Sequence, residues 1–170
     1  MKKGFFKIFI AVLVVSSVFV TKTNAQEIKL GGGMVIGTDI PPLGFQFKGT
    51  YGLGMLLDNL SGSVEFGIFI PSTQNNYKHS RWAIDVDGNY TFWSTGGFNF
   101  YAVGGLNITH YAKKSEVVWL SDVIGTKPGL NVGAGVNFAF GSKMSAFSEV
   151  KYILSNYDQA VFNVGVLFEL

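Results

Sequence analysis

The side chains of this 170-residue chain that could carry chemistry are few and scattered. His79 stands beside Ser80, and His110 is followed by Ser115 and Glu116. A histidine in reach of a serine is the pairing that activates a hydroxyl nucleophile. Neither pair has the spacing of a catalytic motif, so both are read as solvated loop residues and no enzyme is implied. Two histidines in separate segments, with no cysteine, do not make the convergent ligand set a metal needs, and no cofactor is expected. Gly31-Gly32-Gly33 and Gly133-Ala134-Gly135 lie inside alternating segments with no helix after them, so the context of a phosphate-binding loop is missing. These glycines are read as room for bulky neighbours in a narrow interior, or as bending points. Asn59-Leu60-Ser61, Asn89-Tyr90-Thr91 and Asn107-Ile108-Thr109 match a glycosylation sequon, a three-residue pattern that says little.

The first 25 residues stand apart. Lys2, Lys3 and Lys7 precede an apolar run from Ile8 to Val20, and a short polar stretch ends at Ala25. That is the layout of a secretory signal peptide cut after Ala25, and the run is shorter than the ~20 residues of a membrane helix. The expected organisation is a signal peptide over 1–25 and one domain from Gln26 to Leu170. The formal charge of the whole chain is +2. Removing Lys2, Lys3, Lys7 and Lys22 leaves nine basic against eleven acidic residues, a net of −2. No basic patch or arginine cluster points to nucleic acid. An exported chain without cysteine has no disulfide framework, so burial and backbone pairing must hold it.

Beyond Ala25 the apolar residues recur at every second position, the signature of strands. Eight segments are expected, from Glu27–Gly37, Leu43–Tyr51, Ser63–Ile70 and Arg81–Phe92 to Phe98–Thr109, Leu130–Phe140, Ala146–Leu154 and Phe162–Leu170. The fourth is the clearest, with Trp82, Ile84, Val86, Tyr90 and Phe92 opposite Arg81, Asp85, Asp87, Asn89 and Thr91. Strands of about ten residues cross a bilayer when tilted, and only a closed barrel pairs every backbone group in lipid. The expected fold is therefore all-β, an eight-stranded antiparallel up-and-down transmembrane barrel. Tight connections at Phe92–Phe98 and Phe140–Ala146 alternate with longer ones at Pro71–Ser80 and His110–Gly129, as in barrels with short periplasmic turns and longer outer loops. The short Thr38–Pro42 connection fits that rule poorly.

Alternation does not say which face is outside; volume does. Eight strands enclose a bore only just wide enough for side chains. The bulky Phe, Ile, Leu and Val set suits lipid, and the Gly, Ser, Thr and Asn set suits the lumen. Inside, Lys29, Lys48, Arg81 and Lys151 would pair with Glu65, Asp85, Asp87, Glu149 and Glu169, since charges in a membrane interior must be paired or wet. Tyr51, Tyr77, Trp82, Trp93, Phe98, Tyr152 and Phe168 would form interfacial girdles.

The last strand, Asn163-Val164-Gly165-Val166-Leu167-Phe168-Glu169-Leu170, resembles the C-terminal assembly signal of outer-membrane barrels, with Asn163, Gly165, Phe168 and Leu170 at its defining positions. The usual terminal Phe is here Leu170. Residues 129–155 also resemble the hairpin of small OmpA/OmpX-like, porin-like barrels. The resemblance implies outer-membrane lipid as surroundings and periplasmic chaperones and the barrel-assembly machinery as partners during biogenesis. The expected role is structural or surface-interaction, with the His110–Gly129 loop making any contact and Trp119 as its exposed anchor. Alternatives are a narrow channel, a rim lipid-modifying enzyme of the kind known in this family, built here on His79 or His110, or a soluble lipocalin-like carrier.

Overall fold

The computed structural model describes residues 27–115, 121–156 and 158–170. The proposed signal peptide and Trp119 lie outside them. Among the described residues nine strands run in order: β1 (Ile28–Gly37), β2 (Leu43–Gly52), β3 (Leu60–Phe69), β4 (Ser72–Gln74), β5 (Tyr77–Thr95), β6 (Phe98–Ser115), β7 (Val123–Ala139), β8 (Met144–Ser155) and β9 (Gln159–Glu169). All pairings are antiparallel. β1 is hydrogen-bonded to both β2 and β9, and the β3–β5 pairing completes the ring. Eight strands form the wall, as the alternation predicts. β4 is a short extra flap on β5.

The turns follow from residue type. Gly96 and Gly97 both have positive φ (57° and 86°) and join β5 to β6 directly. That is the two-residue hairpin geometry matched to strand twist. Asn75 and Asn76 do the same between β4 and β5, with φ of 51° and 64°. Asparagine tolerates this left-handed region. A bulge between Thr91 and Trp93 lets Phe92 and Trp93 both face out, 60% and 57% exposed.

The wall is polar within and apolar without. Gln46, Lys48, Ser63, Glu65, Arg81, Asp87, Asn89, Asn107, Asn131, Glu149, Lys151 and Asn163 are buried, while Phe45, Phe47, Val64, Ile68, Val86, Leu106, Leu130, Val132, Val150, Phe162 and Val164 are exposed. A water-soluble barrel would reverse this, because exposing so continuous an apolar surface to water is strongly unfavourable. The soluble-carrier alternative is therefore set aside on the packing.

Two expectations are corrected. Pro71–Ser80 and His110–Gly129 were expected as loops, yet β5 begins at Tyr77, β6 continues to Ser115 and β7 begins at Val123. β5 runs 19 residues, β6 18 and β7 17, against 10 for each of β1, β2 and β3. The β3 ladder reaches only Trp82, and the β8 ladder reaches only Gly129. The excess of these three strands thus stands beyond the rim as an extension of the same sheet. At ~3.4 Å per residue it projects roughly 17 Å along the strands. Alternation vanishes there because neither face meets lipid. Tyr77, expected in a girdle, lies on this projecting part of the sheet with Lys113 Nζ 4.2 Å from the centre of its ring.

Candidate functional site

The lumen is built in three layers, each dictated by which inward residues the register brings level. At the centre, β2, β3, β5 and β8 bring Lys48, Glu65, Asp85, Asp87, Glu149 and Lys151 together. Lys48 Nζ lies 2.8 Å from Glu65 Oε1 and 2.8 Å from Glu149 Oε2. Lys151 Nζ lies 2.9 Å from Glu65 Oε2 and 2.9 Å from Asp87 Oδ2, with Asp85 and Glu149 at 3.5 Å. Glu65 and Asp85 are register partners, an unfavourable pair of like charges. Lys151 offsets this by reaching across the bore from β8.

Amides complete the network. Asn131 Nδ2 donates to Asp85 Oδ1 and Asp87 Oδ1, both at 2.7 Å, and Asn107 Nδ2 donates to Asp85 Oδ1 at 2.7 Å. Asn163 Nδ2 donates to Glu149 Oε1 at 3.3 Å, and the Tyr101 hydroxyl donates to Glu149 Oε2 at 3.1 Å. Buried charge is tolerable when paired and hydrogen-bonded in this way.

Three residues expected in the network stand elsewhere. Lys29 pairs with Glu27 at 2.9 Å on the rim nearest the chain ends. Glu169, its register partner on β9, lies at the same rim. Arg81 sits at the opposite end, stacked 3.5 Å over Phe69 and hydrogen-bonded through Nη1 to Gln159. Asn131, Tyr101 and Gln159 were not singled out from the sequence, and Asn107 and Asn163 were named only within a sequon and the last-strand signal, not as network members. Their inward parity on the strands was the available signal.

The layers above and below differ. At the Arg81 end, Val35, Phe69, Ile153 and Val161 form an apolar cap. The gap between cap and charges is about 20 Å³, room for about one water. At the end holding the chain termini a polar cavity of about 390 Å³ opens between Thr50, Ser61, Asn89, Asn99 and Asn137. The bore is thus open at one end and closed through its middle.

The histidines are not loop residues. His79 and Ser80 are consecutive on β5, so their side chains point to opposite faces of the strand. They form no nucleophile–base pair. His110 stacks on Trp82 with centroids 5.1 Å apart, and its Nδ1 is 2.9 Å from Thr126 Oγ1. Among the described residues no cluster of three metal-ligating side chains occurs. Of the terminal-strand positions, Asn163 points into the lumen, Gly165 packs against Phe147, and Phe168 and Leu170 face outward.

The projecting sheet is the other distinctive surface. Lys78 and Lys114 are direct register partners and both exposed, four register positions beyond the Trp82–His110 pair. Lys113 and Lys127 stand on the opposite face of the same sheet. Asp122 accepts the Ser115 N–H at 2.9 Å and is itself exposed.

No family model and no curated protein matches the chain. Solved structures do. Neisserial surface protein A aligns over 85% of this chain and 97% of its own, with 15% identity and a TM-score of 0.61. The N-terminal β-barrel domain of OprF from Pseudomonas aeruginosa aligns over 88% and 100%, with 18% identity and a TM-score of 0.62. The attachment invasion locus protein Ail of Yersinia pestis, in complex with the heparin analogue sucrose octasulfate, aligns over 85% and 97%, with 14% identity and a TM-score of 0.60. At such identity the likeness is one of architecture: the chain has the fold of the small eight-stranded outer-membrane barrels.

Proposed function

We propose that the mature chain is an integral outer-membrane barrel whose role is surface contact, made by the sheet that β5, β6 and β7 raise beyond the rim. The carrying observation is the Lys78–Lys114 pair. Like charges directly opposite on neighbouring strands are unfavourable on their own. An anionic partner relieves that repulsion, and long-range attraction guides its approach. Ail, in complex with a sulfated sugar analogue, gives this reading a parallel of the same fold. On this reading the end bearing the chain termini is periplasmic, in line with its tight Gly96-Gly97 turn. Export with cleavage after Ala25, and insertion by assembly machinery that reads Asn163, Gly165, Phe168 and Leu170, complete the proposed biogenesis.

The test uses the full chain folded in detergent and sucrose octasulfate as probe. Calorimetric titration is expected to show salt-sensitive binding. That binding is lost in a Lys78→Glu/Lys114→Glu variant and kept in Lys29→Glu, whose site is on the opposite rim. Equal binding by all three would contradict the reading. Trp119→Ala tests the proposed loop anchor: unchanged binding removes that residue from the contact surface. A rim enzyme is the weaker reading. Lipid modification by the parent that disappears in both His79→Ala and His110→Ala would be needed to revive it.

A further inference from the structure

The β2–β3 connection, residues 53–59, is unlike the other turns at the same end of the barrel. Those are Gly96-Gly97 and the short segment around Gly141-Ser142. Here the chain reads Leu53-Gly54-Met55-Leu56-Leu57, with no charge before Asp58. Met55 is 72% exposed, Leu56 78% and Leu57 53%. Isolated exposed apolar residues need no explanation, but three in succession mark a covered surface.

The turn is ordered by its own backbone. Leu56 N–H and Leu57 N–H both donate to Leu53 O, at 2.8 and 3.2 Å, and Leu60 N–H donates to Leu57 O at 3.2 Å. Leu53 N–H closes the loop on Leu60 O at 2.8 Å. The apolar trio is therefore presented by a fixed scaffold.

The surface that continues into this turn is the lipid-facing one. A Cβ added to Gly62 would lie 3.4 Å from Leu53 Cδ1, so Leu53 covers Gly62. Gly62 shares the outward face of β3 with Val64 and Phe66. Leu60 pairs with Tyr90, which is exposed on the adjoining strand. Leu53 thus extends the apolar exterior to the start of the turn that carries Met55, Leu56 and Leu57, while Gly54 and Asn59 line the mouth of the polar cavity.

We infer that this turn is a lipid anchor: Met55, Leu56 and Leu57 enter the acyl boundary of the periplasmic leaflet and hold that edge of the barrel at the interface. Apolar side chains on a short ordered segment gain by burial at the headgroup–acyl boundary, and the absence of charge over residues 53–57 removes the main obstacle. The inference rests on the membrane reading above.

The test exploits a chain without cysteine. An environment-sensitive fluorophore is attached at Asp58→Cys, beside the intact trio, or at Ser142→Cys, on the exposed β7–β8 turn. Each full chain is folded into phosphatidylcholine vesicles containing nitroxide-labelled lipid, with iodide on both sides of the membrane. Heat-dependent gel mobility first verifies that the barrel has folded, which separates failure of this inference from failure of the membrane reading. The Asp58→Cys label is expected to show blue-shifted emission, strong quenching by shallow acyl-chain nitroxides and loss of iodide quenching relative to Ser142→Cys. Those differences should disappear when Met55, Leu56 and Leu57 are all changed to Ser. If the two labels behave alike in the parent background, with iodide reaching both, the anchor is refuted. The trio would then face the periplasm as a protein-docking surface. Should the triple variant not fold, the comparison of the two labels alone decides.

Discussion

Lys151 is the residue on which the lumen turns. It is 1% exposed, and its ammonium is the shared partner of Glu65 and Asp87. Removing one partner of a buried ion network strands the others in a medium that solvates them poorly. Lys151→Met keeps most of the volume and removes the charge, leaving Lys48 to face four carboxylates. We expect the unfolding free energy in vesicles to fall by roughly 3–5 kcal/mol, as for other broken buried pairs, read from urea titration. Lys29→Met is the control. Its rim pair with Glu27 is solvent-accessible, and such pairs contribute under about 1 kcal/mol. A similar small loss for both variants would show that the central network is not what holds the lumen. At this scale the sequence was partly legible. Inward parity identified Lys48, Glu65, Asp85, Asp87, Glu149 and Lys151. Parity carries no height along the barrel, so it could not separate them from Lys29 and Glu169 at one end or Arg81 at the other. Height depends on strand stagger, which is set by pairing between distant segments.

At the scale of elements, ring closure depends on β1 lying close to β9. A Cβ at Gly33 would come within 2.0 Å of Val164 O, and one at Gly165 within 2.3 Å of Gly32 O. Both contacts are with backbone, which cannot step aside. Gly33→Ala is therefore expected to open the β1–β9 ladder and sharply reduce the folded fraction. Gly104→Ala, with nothing within 4 Å of the added carbon, should fold like the parent. Folding yields from urea dilution into vesicles check this, and equal yields would contradict the close approach. The strands that face lipid on one side and lumen on the other were readable because two environments impose period two. The outer ends of β5, β6 and β7 were not, because water on both faces removes the pattern. Asn75-Asn76 was the local signal left there, a pair suited to a two-residue turn.

The whole molecule is a bore closed twice over. Lysines cross its middle from β2 and β8, and Val35, Phe69, Ile153 and Val161 seal one end. An ion entering the 390 Å³ cavity meets Lys48 and Tyr101 at its floor and has no continuous path. Planar-bilayer recording of the parent should show no reproducible unitary conductance even at high protein load. Stable channels would mean that the plug rearranges and would favour the channel reading. The direction of the barrel, apolar face out, was legible from volume alone, since Phe and Ile could not all fit within eight strands. The proposed function was not legible in that way: it rests on surface placement, as with Lys78 opposite Lys114, which only the register reveals.

The central claim is that the apolar exterior belongs in lipid. It is tested most directly by gel mobility in detergent of the mature chain, before and after boiling, following folding into phosphatidylcholine vesicles. A lipid-facing closed barrel should resist the detergent and migrate at a different position unboiled, shifting to the unfolded position on heating. A single band of unchanged mobility at both temperatures, from protein that stays soluble without detergent or lipid, would contradict it.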